Sequence, residues 1–308
     1  MHCAIIGYEV HMSVSRGTRW AIVIIGILLV IGLLMTLLFF ALIRGGETEE
    51  ITGYGDRVAI VEVQGTILSS ENVVRQLKKF AKQSSVRALV LRVDSPGGSA
   101  AASQEIYEEV KRIRNSGKPV VASMGSMAAS GGYYISVAAT KIVANPATVT
   151  GSIGVISQFI NVADLLKKVG IQETTVKTGK FKDAGSPFRS LTEEEKLYFQ
   201  ELMINVYDQF VDAVASERNL PIDTVRKYGD GRLFSGAQAK RIGLVDTLGS
   251  LEDAIRLAGK LGGIRGEPAT VRELKRVSFV ERFFDSAKQS VLGNRLEEPL
   301  LEYKFAAP

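Results

Sequence analysis

Histidine and cysteine are almost absent from this sequence. Of its 308 residues, two are histidines and one is a cysteine, and all three (His2, Cys3 and His11) precede an apolar run that begins at Trp20. A single cysteine excludes an intramolecular disulfide framework and a cysteine-rich zinc site. Residues 44–308 therefore cannot form a Ser-His-Asp triad, a Cys-His dyad, a zinc site with histidine ligands or a haem with a histidine ligand. What remains is a carboxylate site, a metal held by carboxylates, a serine or threonine nucleophile with a lysine base, or no catalysis.

A dominant charge of one sign is also missing. The chain has 38 basic and 33 acidic residues, with 46% hydrophobic and 23% charged residues overall. These fractions are typical of globular proteins and exclude a disordered, collagenous or low-complexity chain. The basic residues are scattered among acidic ones, and no basic stripe with interleaved aromatic residues is present, so we predict no nucleic-acid partner.

One long apolar run stands out. Residues 20–43 contain no charge, and as a helix they would span about 36 Å, more than the hydrocarbon core of about 30 Å. The run is longer than the apolar region of a cleaved signal peptide and lacks an A-x-A-like exit, so we predict a retained transmembrane anchor in contact with lipid. Arg16 and Arg19 precede the run, whereas Arg44 is followed by glutamates. The positive-inside rule then predicts a single-pass cell-membrane protein with a cytoplasmic N-terminus and an extracytoplasmic catalytic domain.

Short apolar runs alternate with helical spacing after the anchor. Strands are predicted at residues 58–63, 88–93 and 119–123, with helices between them, and further strands at 155–157 and 173–177. This alternation is typical of an α/β domain with largely parallel pairing. The predicted organisation is a cytoplasmic N-terminus (1–19), the anchor (20–43), a polar glycine-rich linker (44–56), the α/β domain (57–265) and a C-terminal helical extension and tail (266–308). The apolar stripe of the extension at 276–292 packs on the domain core, or else contacts a subunit or the membrane surface.

The first of three glycine-rich junctions is DSPGGS, residues 94–99. Pro96 fixes the chain, Gly97 and Gly98 allow a tightly curved backbone, and Ser99 can cap the next helix. Amides at such a helix start suit an anion, including a transition-state oxyanion. An ordinary strand–turn–helix joint is the structural alternative.

The second junction is SMAASGGYY, residues 126–134. Ser130 lies where a helix begins, and its small neighbours let a substrate backbone reach the hydroxyl. The segment is not a G-x-S-x-G elbow, because position 128 is alanine and no histidine can serve the serine. The alternatives are that Ser130 only caps the helix, or that Ser126 is the nucleophile.

A third junction, TGSIGV at residues 150–155, presents Ser152, and a glycine-bounded loop downstream holds Lys180 and Lys182. A lysine can act as a general base if burial depresses its pKa towards neutrality. In an extended segment both lysines would point to the same side, so the residues alone do not choose between them.

Taken together, DSPGGS, SMAASGGYY, TGSIGV and GKFKD in this order resemble the signal peptide peptidase A family of membrane-anchored serine–lysine peptidases, in its short single-domain form. The likeness runs from about residue 58 to about residue 262. It implies an α/β fold of the Clp protease/crotonase type, preceded by one transmembrane helix. The first eleven residues are not a feature of the family, and Met12 is an alternative start.

The resemblance also implies roles for individual residues. Ser130 matches the nucleophile, Lys182 the general base, Ser152 the hydroxyl that orients the lysine, and Gly97 the oxyanion-hole amide. It implies neither a cofactor nor a metal, and it implies a homo-oligomeric ring, because one domain of this fold builds only a partial groove.

The function implied is that of an endopeptidase that degrades cleaved signal peptides and similar apolar segments. Three alternatives stay open: a membrane protease for quality control of membrane proteins, a crotonase-like enzyme acting on acyl-CoA, and a catalytically dead scaffold. An extracytoplasmic site counts against acyl-CoA, since CoA thioesters are cytosolic. A dead scaffold would have lost Ser130 or Lys182, and both are present.

Overall fold

The computed structural model describes residues 16–43, 47–275 and 302–304. Helix α1, Arg16–Ile43, belongs to one compact unit, and residues 49–274 with Glu302–Lys304 belong to another. Within α1, Trp20–Leu37 is long and apolar enough to cross a membrane by length and composition. The sequence prediction of one apolar N-terminal helix is confirmed at that level.

The second unit is built on a nine-stranded sheet with the order β1-β10-β2-β3-β5-β6-β9, to which β7 and β8 are joined through β5. The strands of the chain are β1 Glu47–Thr52, β2 Arg57–Gln64, β3 Val86–Ser95, β4 Gly97–Ser99, β5 Val120–Ala129, β6 Lys141–Ala144, β7 Val149–Gly151, β8 Leu233–Ser235, β9 Thr247–Leu248, β10 Ala269–Lys275 and β11 Glu302–Lys304. The helices that follow α1 are α2 Glu71–Lys82, α3 Ala100–Asn115, α4 Gly131–Val137, α5 Ala163–Lys168, α6 Glu193–Arg218, α7 Ile222–Tyr228, α8 Gly236–Arg241 and α9 Leu251–Leu261.

Parallel pairing dominates the sheet, because helices connect its strands and cover both of its faces. β2, β3, β5 and β6 pair in parallel, as do β10 with β2 and β6 with β9. Alternate residues of β2 enter different cores: Val58 and Ile60 pack with α9, whereas Ala59 and Val61 join the larger core on the other face. Burial on both faces explains why these strands are almost continuously apolar.

β5 is the strand that carries the chain to the candidate site. It is ten residues long, and β6 pairs only with its first half, Val121 to Met124. Its second half pairs with β7, so that Ala129 lies opposite Gly151. The sheet therefore branches at β5, and Ser130 follows at the end of the longer branch.

The sheet extends beyond the predicted domain on both sides. β1 lies inside the stretch predicted as a linker, and β10 lies inside the predicted C-terminal extension. Both were missed because their sequences, ETEEIT and ATVRELK, are polar and alternate only weakly. The helix predicted at 276–292 lies outside the described residues.

Two short predicted strands are wrong. Residues 155–157 form no strand, and neither do residues 173–177, which are exposed. Their valine and threonine content favours strands, but a strand also needs a neighbour along which to pair, and in the described part of these two segments only a single bridge forms, at Ile156.

Candidate active site

Ser130 lies at the turn between β5 and α4. Its backbone has φ 53° and ψ −119°, a conformation that residues other than glycine rarely adopt. The backbone is held firmly: its amide donates to the Gly151 carbonyl at 2.8 Å, and its carbonyl accepts from the Tyr134 amide at 2.8 Å. The strained turn is therefore supported on both sides, as strained residues at functional sites usually are.

The Ser130 hydroxyl has no hydrogen-bond partner among the described residues. The side chain is 1% exposed, and no described residue hydrogen-bonds its Oγ. It makes no capping hydrogen bond to α4, which removes the interpretation of Ser130 as a helix cap. A buried polar atom without a partner is uncommon and needs a reason. Ser126, the competing serine, is exposed in the middle of β5.

Ser152 lies next to Ser130. Because Ala129 and Gly151 are opposite each other in parallel strands, the two serines follow them at the same end of the sheet. Ser152 also has a positive φ, 51°, and its amide donates to the Arg232 carbonyl at 2.9 Å. A cavity of about 450 Å³ opens beside Ser152, with α6 forming one wall through Met203, Ile204 and Tyr207.

Gly97 belongs to the same end of the sheet. Ser95 of β3 pairs with Ala128 of β5. Gly97 follows Ser95 by two residues and Ser130 follows Ala128 by two residues, so both lie at the same end of these neighbouring strands. The Gly97 amide donates to the Ser95 hydroxyl at 3.1 Å. Its predicted use as an oxyanion donor would require exchange of that hydrogen bond, and it stays a prediction. Ser99 caps α3, as predicted from the sequence, by accepting a hydrogen bond from the amide of Ala102.

The edge strand β4 holds an extended segment of the same chain. β11 runs antiparallel to it, with Tyr303 opposite Gly98 and Lys304 opposite Gly97. Helix α4, which begins directly after Ser130, contacts both β4 and β11. This edge therefore has the geometry of a site that binds an extended peptide by strand addition.

Gly132, two residues after Ser130, allows the close approach of α4 to β3. A Cβ at this position would lie 2.8 Å from the Ser95 carbonyl oxygen. Alanine normally favours a helix over glycine by about 1 kcal/mol, but we expect Gly132→Ala to destabilise the domain by about 1–3 kcal/mol through overpacking. Urea unfolding of the variant checks this. Gly179→Ala is the control, because no atom lies within 4 Å of a Cβ at Gly179; a more stable Gly132→Ala would contradict the close approach.

The two tyrosines after Ser130 are not candidate bases. Burial raises the pKa of Tyr133 and of Tyr134, so both phenols keep their protons at neutral pH. The Tyr133 hydroxyl donates to the Leu244 carbonyl at 3.0 Å, and the Tyr134 hydroxyl bonds Gln104. They anchor α4 in the core instead.

Lys182 and the Ser130 hydroxyl are not hydrogen-bonded to each other within one chain. Lys182 is exposed, in the loop of residues 179–185 that we term the lysine loop, and its side chain has no hydrogen bond or ion pair with any described residue. Lys180 differs from it, because its ammonium group forms an ion pair with Glu194 of α6. The two lysines that the sequence could not separate therefore have different surroundings.

A charged cluster that sequence reasoning missed lies beside the lysine loop. The Arg189 guanidinium joins Asp183 to Glu195, and its hydrogen bonds hold the pKa of both carboxyls low, that of Glu195 at about 2. Thr192 and Glu195 also form a capping box at the start of α6. The T-x-x-E spacing was a signal for that capping box, but nothing in the sequence pointed to the arginine between them.

Comparison with known proteins identifies the fold. The family model for Clp protease matches residues 54–150. A solved ClpP1 variant from Listeria monocytogenes aligns with a TM-score of 0.44 and 20% identity, over 64% of this chain and 94% of that one. The match to the family model shows that the chain has a Clp protease-like α/β fold, as the sequence predicted.

A second family model, for peptidase family S49, matches residues 112–265, which include Ser130, Ser152 and Lys182. A candidate protease of Synechocystis sp. is 44% identical over 68% of this chain and 75% of its own length. This chain belongs to peptidase family S49, and the resemblance to signal peptide peptidase A is confirmed.

Two further relatives indicate which kind of peptidase this chain is similar to. A protein of Enterococcus faecium with the provisional name signal peptide peptidase SppA is 42% identical over 60% of this chain and 54% of its own length. The chloroplastic serine protease SPPA of Arabidopsis thaliana is 34% identical over 74% of this chain, but over only 36% of its own length. This chain therefore spans about a third of that longer relative. The relatives support a serine peptidase.

Proposed function

We propose that this chain is a membrane-anchored serine endopeptidase in which Ser130 is the nucleophile and Lys182 the general base. One observation carries the proposal: an extended segment, β11, pairs with the edge strand β4, beside a buried serine hydroxyl to which no residue in the described part of the chain is hydrogen-bonded. A peptide substrate bound to β4 in the same way would pass close to Ser130. Strand addition fixes a peptide through its backbone and so tolerates many side chains.

Catalysis then proceeds by acyl transfer. Neutral Lys182 accepts the Ser130 proton, the serine oxygen attacks the peptide carbonyl, and the oxyanion is held by backbone amides near Gly97. Lys182 next protonates the leaving amine, and water hydrolyses the acyl-enzyme. Ser152, beside Ser130, orients the amine of the lysine by a hydrogen bond.

We propose that the lysine comes from a second copy of the chain in a homo-oligomeric ring. Lys182 is exposed while Ser130 is buried, and the cavity beside Ser152 leaves room for a side chain from outside. The segment around the lysine loop exposes large apolar side chains, which are typical of a surface that another protein covers. They include Ile160, Leu165, Ile171, Val176, Phe188 and Leu197.

The substrates that fit this arrangement are cleaved signal peptides and similar apolar segments in or near the membrane. Helix α1 supports a membrane location, with the peptidase domain on the extracytoplasmic side. Signal peptides are short, apolar and released into the bilayer, and a membrane-anchored site would meet them there.

The test is to incubate the full-length chain in detergent micelles with a set of synthetic signal peptides and to identify products by mass spectrometry. We expect internal cleavage of signal peptides, no cleavage by the Ser130→Ala variant, and little cleavage of a folded membrane protein. Cleavage of the membrane protein alone would favour the quality-control alternative. If neither substrate is cleaved, the chain is a non-catalytic scaffold.

A mixing experiment tests the shared site. Ser130→Ala and Lys182→Ala chains, each inactive alone, should regain activity when they are denatured together and refolded, because mixed rings contain some intact pairs. A mixture that stays inactive, although wild-type chains recover after the same treatment, would place both residues in one chain.

A further inference from the structure

The lysine loop is fastened to α6 at residues on both sides of Lys182. Before it, Lys180 forms an ion pair with Glu194, and its ammonium lies 5.1 Å from the centre of the Phe181 ring. The Phe181 ring stacks on Tyr198 with 5.1 Å between the ring centres and an angle of 28° between the planes. Lys180 and Phe181 therefore both contact the first two turns of α6.

After Lys182, the chain is held through Arg189. The Asp183 side chain is 12% exposed and accepts hydrogen bonds from Arg189 Nε at 2.9 Å and Nη2 at 2.8 Å. Arg189 Nη2 also donates to the Asp183 carbonyl at 3.1 Å. One guanidinium therefore binds both the side chain and the backbone of the residue next to Lys182, a paired geometry that lysine could not reproduce.

The same guanidinium reaches the start of α6. Arg189 Nη1 donates to Glu195 Oε2 at 2.8 Å, and the Glu195 side chain is 4% exposed. Glu195 is in turn fixed by the Thr192 amide, which donates to its Oε2 at 2.9 Å. Arg189 thereby connects the lysine loop to a helix end whose own position is set by a capping box.

Lys182 is the residue left out of these contacts. Phe181 before it stacks on α6, and Asp183 after it is connected to α6 through Arg189, while the ammonium group of Lys182 bonds none of the described residues. Such an arrangement directs one side chain outward from a rigid support. If the cluster merely stabilised a surface loop, the Lys182 ammonium group could equally have paired with one of its carboxylates, as the ammonium group of Lys177 does with Asp183.

We propose that Arg189 is a positioning residue for the general base: with Asp183 and Glu195 it holds the lysine loop so that Lys182 points away from α6 and towards the Ser130 of the neighbouring copy. This inference rests on the proposed function. A base that is misplaced by about 1 Å can lose about 10²-fold in rate. Arg189 touches neither substrate nor serine, so it acts only through the loop.

The test compares Arg189→Gln with the wild-type full-length chain on one signal peptide. We expect kcat to fall by about 10²-fold and KM to change by less than about twofold, because the peptide binds at β4 and not at the loop. A purely structural role would lower kcat only by the fraction of unfolded protein, which circular dichroism of the same preparation measures.

Two further variants make the test independent of folding. Glu195→Gln keeps the capping box, because glutamine can replace glutamate there, but weakens the bond to Arg189, and kcat should fall by about tenfold. Lys196→Gln is the matched control: it removes an ion pair of 2.6 Å with Glu193 on the same helical turn, without touching the loop, and should leave kcat unchanged.

The outcomes separate this inference from the proposed function. If Ser130→Ala and Lys182→Ala are inactive while Arg189→Gln and Glu195→Gln keep the wild-type kcat, the positioning role is wrong and the dyad stands. A loss of kcat that only follows the fraction of unfolded protein also overturns it. If Ser130→Ala or Lys182→Ala retains activity, the proposed function fails first.

Discussion

Ser130→Ala should abolish peptide cleavage, by at least about 10³-fold in kcat, while the protein remains folded and assembled. The serine hydroxyl is the proposed attacking group, so no step of acyl transfer survives its removal. Because the Oγ atom makes no capping bond to α4 and has no other described partner, we expect its loss to change the free energy of unfolding by less than about 1 kcal/mol. Turnover measurements and thermal unfolding of the same preparation check both parts.

Ser126→Ala is the matched control, because Ser126 lies four residues earlier on β5 and is exposed. It should keep wild-type turnover. If Ser126→Ala is inactive and Ser130→Ala is active, the nucleophile is Ser126. A Ser130→Ala protein that unfolds or aggregates would show instead that the hydroxyl serves the fold.

Lys182→Arg should be as inactive as Lys182→Ala. A guanidinium stays protonated at every accessible pH and cannot accept the serine proton, although it preserves the positive charge. Lys180→Arg should retain most activity, because arginine can keep the ion pair with Glu194 that holds Lys180 on α6. Initial rates of the three variants and of the wild-type chain, measured with one signal peptide, provide the check.

The reverse pattern, with Lys180→Arg inactive and Lys182→Arg active, would shift the base by two residues and would contradict the assignment made from the motif. If both arginine variants are active, a lysine base is excluded altogether. Neither result would be explained by a folding defect, since both side chains lie at the surface of the loop.

Much of the central fold was predictable because buried parallel strands leave a strong signal. β2, β3 and β5 are largely continuous apolar runs whose two faces are both covered, and the cap of α3 was recognisable from the residue type of Ser99. The edge strand β1 and the late strand β10 were not predictable in the same way. Their residues are largely polar, and pairing with distant partners rather than local preference makes them strands.

The site was partly predictable. Ser130, Ser152 and Gly97 follow strands in short glycine-rich motifs, and the ends of parallel strands meet at one edge of a sheet, so the sequence places them together. The surroundings of Lys182 depend on Arg189, Glu195 and Tyr198, whose contacts form only after α6 packs beside the loop. No motif encodes such contacts. The family resemblance favours Lys182 over Lys180, and the folded chain adds that the two lysines have different surroundings.

The place of β10 in the sheet affects the order in which the domain can be made. β10 pairs with β2, so that Thr270 lies opposite Val58, and these residues are more than 200 positions apart in the chain. While the ribosome is still adding the intervening residues, one side of β2 has no partner and its backbone groups are open to unwanted strand pairing. The sheet can close only when synthesis has passed residue 275. In a nascent chain that ends before that point, β2 is left as an unpaired edge strand, although it lies inside the sheet of the full-length chain.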